Sequence, residues 1–113
     1  MDQEDIEYFR TKYGKRFVRA FRAVEEGKVK MYLFKPSDSL AWTVLGRKRD
    51  YLVIPSTFCT CRDFYQAVVI NREAQMCYHL LAQTIASIRE EHKVVEATDS
   101  DRRKLYQEWR RIR

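Results

Sequence analysis

The sequence predicts an α+β fold: a small antiparallel sheet of about four strands and a cysteine-bearing strand-helix unit, flanked by a long N-terminal helix and a C-terminal helix. Three observations predict it. Apolar residues recur every three or four positions at the start of the chain, every second position between Lys28 and Pro55, and every three or four again after Cys77. All three cysteines fall in two short motifs, Cys59-Thr60-Cys61 and Cys77-Tyr78-His79. At 113 residues the chain has room for one core and not for two. Within that single domain the composition marks a helical segment (1–27), a sheet with the cysteine motifs (28–96) and a basic tail (97–113).

Residues Asp2 to Glu26 read as one long helix. Ile6, Phe9, Tyr13, Phe17, Phe21 and Val24 lay an apolar stripe along one face. Asp2, Glu4, Asp5 and Glu7 crowd the start, where carboxylates suit the helix dipole. Gly14 is a weak point inside the helix, and Gly27 supplies its stop. Lys12, Lys15, Arg19 and Arg22 fall opposite the aromatic stripe. Two readings fit them: a solvated basic face, or a surface that follows a phosphate backbone or an acidic partner.

The next segment alternates. Val29, Met31 and Leu33 form one strand, Leu40, Trp42 and Val44 a second, and Tyr51 to Ile54 a third. Pro36-Ser37-Asp38-Ser39 and Gly46 to Asp50 have the composition of turns. Arg47, Lys48 and Arg49 form the basic tip of the second turn. They suit contact with nucleic acid and equally suit a charge that keeps a strand edge soluble. Asp63 to Ile70 reads as a fourth strand. Leu80, Leu81, Thr84, Ile85 and Ile88 restore the helical period as far as about Glu91.

A polar link, Thr98-Asp99-Ser100-Asp101, offers N-caps for the last helix. There Leu105, Trp109 and Ile112 line one narrow apolar edge among Arg and Lys. Trp109 anchors this helix on the core in one reading; in the other it seats the helix in a groove of another protein.

Thiolate and imidazole are ligands that zinc prefers, and four of them complete a tetrahedral shell without water. Cys59 and Cys61 lie two apart in an extended stretch and so point to one side. Two such positions on a helix diverge by about 200°, which places Cys77 at a turn and His79 in the first turn of the helix that follows. A disulfide within Cys59-Thr60-Cys61, with Cys77 a buried thiol, is the competing reading. His92 is a rival ligand in a polar helix end, where an unliganded histidine is the simpler account. Cys59, Cys61, Cys77 and His79 are therefore the candidate ligands of one structural zinc ion.

These residues, with Leu80-Leu81-Ala82 directly after them, resemble the SWIM zinc finger. The resemblance runs over about residues 28 to 86 through Phe58, Asp63-Phe64-Tyr65, Tyr32-Leu33-Phe34, Pro36-Ser37 and Trp42, as in small stand-alone archaeal and eukaryotic SWIM proteins. Tyr78 departs from the pattern, since many relatives carry a basic residue there. The resemblance implies an adaptor of the Shu-complex type, which binds a RecA-like recombinase paralogue and assists a recombinase filament on single-stranded DNA. A formal charge of +6 supports a second reading, a nucleic-acid-binding protein of transcription or repair that acts alone.

Catalysis has little foundation in this sequence, and a non-enzyme is expected. A closed zinc shell holds no water to activate. The deaminase arrangement of H-x-E with P-C-x-x-C is missing, as are a nucleophile elbow and a phosphate-binding glycine loop. Any use of ATP then belongs to a partner. No apolar run approaches eighteen residues, so a membrane span is not expected. Unpaired thiols without a secretion signal favour a reducing compartment, the cytoplasm or a nucleus.

Overall fold

A corner at Gly14 divides the N-terminal helix in two. The computed structural model describes residues 3–46, 49–55, 57–61, 64–72 and 76–109. In it, α1 (Gln3–Tyr13) and α2 (Lys15–Glu25) replace the one long helix expected. Gly14 sits at φ 56° and ψ −123°, a conformation open to glycine and strained for other residues. The aromatic stripe continues around the corner, with Phe9 stacked on both Tyr13 and Phe17. Gly14→Ala is expected to cost about 1 to 3 kcal/mol through backbone strain alone, because nothing crowds the new methyl group. An unchanged urea midpoint would show that the corner imposes no strain.

Among the described residues the sheet has five strands and is mixed, where about four antiparallel strands were expected. β1 (Val29–Lys35), β2 (Ser39–Leu45), β3 (Asp50–Ile54) and the two-residue β4 (Phe58–Cys59) pair antiparallel in sequence order. β5 (Lys93–Thr98) adds to the outer side of β1 in parallel, giving the order β4-β3-β2-β1-β5. Its short run of Lys-Val-Val-Glu-Ala-Thr carries little signal of its own. Pairing with a strand some sixty residues earlier makes it a strand.

The segment expected as a fourth strand is a π-helix, Phe64–Ile70. Its β-branched residues suit a strand, but the chain leaves Cys61 already folded back on itself. The Tyr65 amide donates to the Cys61 carbonyl, and the Asn71 amide to the carbonyl of Gln66. These local bonds use the amides that a strand would have offered to a neighbour.

Helices cover both faces of the sheet. α2 and α3 (Tyr78–Arg89) lie over the face of Val29, Val44 and Val53, and the main core forms there around Phe17, Leu80, Leu81 and Ile85. α4 (Asp99–Trp109) crosses the opposite face, where Phe34, Ala41, Leu52 and Trp109 form a second core. Thr98 caps α4 by accepting from the Asp101 amide at 3.2 Å. Asp99 accepts from the Ser37 hydroxyl at 2.6 Å and from the Ser37 amide at 3.0 Å, which fastens the helix start to the β1–β2 turn. Among the described residues no helix is long and apolar enough to cross a membrane.

Candidate metal centre

The centre joins three pieces of chain. β3 and β4 form a narrow hairpin ending at Cys59. Thr60 then locks the knuckle onto β3, because its amide donates to the Leu52 carbonyl and its hydroxyl accepts from the Leu52 amide, each at 3.1 Å. That clamp turns Cys61 back toward Cys59. Cys77 is the N-cap of α3, where its sulfur accepts from the Leu80 amide at 3.4 Å. His79 stands in the first turn of the helix, as the spacing required.

The ligand atoms of Cys59, Cys61, Cys77 and His79 all lie within 4.8 Å of one another, and all four residues are buried. The three cysteines are free thiols, so the disulfide reading is not the one the fold adopts. Both ring nitrogens of His79 are buried without a hydrogen-bond partner, an arrangement that costs free energy unless a metal takes one of them. The thiols constrain each other as well. Hydrogen bonds with Cys61 and Cys77, then burial, push the Cys59 thiol up, and hydrogen bonds from Cys59 and Cys77 hold Cys61 down. Three thiolates this close need a cation between them. The donor set, its closure and the orphaned imidazole fit one zinc ion, held by these four residues. Bound there, zinc supplies a cross-link between the β3–β4 hairpin and α3.

Two tyrosines flank the histidine. The Tyr78 ring lies 3.9 Å from that of His79, and the Tyr51 ring 4.5 Å away. Arginines stand over both, Arg19 at 4.1 Å from the Tyr78 centroid and Arg49 at 5.2 Å from that of Tyr51. α2 thus places a guanidinium over the residue that stands between Cys77 and His79. Tyr51 fits because Gly46 has no side chain: a Cβ there would collide with the ring. Sequence reasoning did not assign Thr60, Tyr51 and Gly46 to the centre, since their contacts with Leu52, His79 and Tyr51 form only once the chain has folded.

No protein-family model matches the chain, and no solved structure matches it. It is 28% identical over 80 residues to the zinc finger SWIM domain-containing protein 7 homolog of Dictyostelium discoideum. This chain resembles a SWIM zinc-finger protein. The aligned stretch covers 69% of the chain and 51% of that relative, so the chain spans about half the relative's length. His92 takes no part in the centre. It packs edge-on against Trp42 with ring centroids 4.7 Å apart.

The basic candidates are distributed differently from the expectation. Lys15, Arg19 and Arg22 are exposed along one face of α2, while Lys12 lies beyond the Gly14 corner, bonded to the Tyr8 hydroxyl at 3.3 Å. Arg47 and Lys48 lie outside the described residues. Arg49 turns inward and donates to the Trp109 carbonyl at 3.0 Å. Trp109 is 2% exposed and packs on Tyr32 and Tyr106, so α4 presents no tryptophan edge to solvent. Of the two readings of this helix, the structure adopts the one in which Trp109 anchors it on the core.

Proposed function

We propose that the chain is a zinc-braced adaptor, which binds a RecA-like recombinase paralogue and assists homologous recombination and DNA repair on single-stranded DNA. The observation that carries this reading is the closed centre beside an apolar surface. All four ligands are buried, so the ion braces the fold and offers substrates no open position. Between the two ligand pairs the π-helix exposes Tyr65, Val69 and Ile70, a grouping suited to another protein. The class of partner is what the resemblance of the cysteine motifs to the SWIM zinc finger implies.

The test is recovery of the tagged, zinc-loaded protein from its native extract through a moderate-salt wash. A RecA-like ATPase in near-equal amount is the expected companion. Nucleic acid with no stoichiometric protein would overturn the adaptor reading. Tyr65→Glu with Val69→Glu is expected to lose the ATPase and keep its zinc; undiminished recovery would remove the π-helix from the contact.

The exposed row Lys15, Arg19 and Arg22 favours a second reading, direct binding of nucleic acid. Each phosphate contact contributes about 0.7 to the salt slope on single strands. Lys15→Glu with Arg22→Glu is therefore expected to reduce the slope by about 1 to 2 and to weaken binding several-fold. The same measurement on Arg47→Glu with Lys48→Glu tests the hairpin tip. A slope unchanged in both variants would eliminate these basic groups as the contact.

A further inference from the structure

The sheet order leaves two edges. β4 is two residues long and runs directly into the metal knuckle. β5 is six residues long, in unbroken register from Lys30↔Lys93 to Lys35↔Thr98, and among the described residues no strand lies on its outer side. It has no proline, glycine or bulge to blunt it. Beside it, β1 is apolar on both faces: Tyr32 and Phe34 under α4, Val29, Met31 and Leu33 on the other. Such a run is typical of strands covered on both sides. The register sets Val94 beside Met31 and Glu96 beside Leu33, which faces Leu40 on β2. Yet Leu40 and Val94 are 53% and 57% exposed.

From this edge we infer that two copies of the chain join their β5 strands antiparallel across a two-fold axis, with Val94 on Val94 of the second copy. The charges select this register. A two-fold axis normal to the sheet places residues of equal parity opposite each other, with side chains on the same face about 5 Å apart. Centred on Glu96, it opposes two carboxylates; centred on Lys93, two ammonium groups. Centred on Val95, it sets Val94 against Glu96. Centred on Val94, it joins the two exposed valines and sets each Glu96 opposite position 92, where no carboxylate stands. Lys93 then lies opposite Val95, where its aliphatic stem can pack. The strand thus meets its own copy with apolar side chains opposed and no like charges paired. This association is independent of the adaptor reading.

Sedimentation of the zinc-loaded full chain at about 100 µM, in the range of transient interfaces, tests it. A dimer is expected, and Val94→Lys is expected to be monomeric with unchanged zinc content and circular dichroism. A dimer that survives Val94→Lys overturns the proposal. A monomeric parent chain does so too, and leaves the edge to an extended segment of another protein. Cysteine substitutions check the register. Val94→Cys should form a disulfide-linked dimer on oxidation. Thr98→Cys should not, since its two copies would lie about 26 Å apart along the strands. Equal cross-linking at both positions would mean random collision and also overturn the assignment.

Discussion

Removing the zinc is expected to unfold at least residues 55 to 90. Apparent zinc affinity in small modules contributes on the order of 10 to 16 kcal/mol near neutral pH. The whole stability of a domain is about 5 to 15 kcal/mol, so the metal outweighs what remains. Its position spreads the effect. Cys59, Cys61 and Cys77 belong to the same core as Phe17, Leu80 and Ile85, and loss of the ion leaves the orphaned nitrogens of His79 inside that core. Melting followed by circular dichroism with and without chelator, alongside a zinc assay, measures the effect. Full melting stability in chelator would sink the idea. Since thiolate ligands bind zinc in competition with protons, acid is expected to release the ion and unfold the same region.

Trp109→Ala is expected to cost about 3 to 5 kcal/mol, the range for deleting a large buried aromatic. The second core is small, and Trp109 is its largest side chain, packed on Tyr32 at 4.9 Å and on Tyr106 at 5.5 Å. Neighbours of this kind cannot close the resulting cavity without moving the helix. α4 should therefore become sensitive to protease within 99–109 while zinc content stays unchanged. The bond from Arg49 goes to the Trp109 carbonyl, and alanine retains that group, so the loss reports packing. A urea midpoint equal to that of the parent chain would show that α4 is not anchored here.

The metal ligands were legible because their chemistry is local. Cys59 and Cys61 in an extended stretch and Cys77 before a helix meet one ion by spacing alone, and Cys77 capping α3 is the geometry that the two-residue interval required. The three antiparallel strands were legible for a similar reason, since alternation and turn residues occur within a few positions of each other. Trp109 shows the limit. Its spacing with Leu105 describes an apolar edge, but an edge of that kind fits a core and a partner equally well. Gly14 was read as a weak point in a helix, and only its positive φ makes it a corner.

Sequence alone thus determined the α+β class, the zinc ligand set and the start of α3. Tertiary structure alone decided that Phe64–Ile70 coils as a π-helix, that β5 joins β1 in parallel and that α4 buries its tryptophan. It also decided that Arg19 and Arg49 stand over the rings flanking His79. The physical reason is range. Periodicity and ligand spacing act over a few residues and are written in their order. Sheet pairing and ring stacking depend on groups that meet only once the chain has folded, and no short stretch of sequence specifies them.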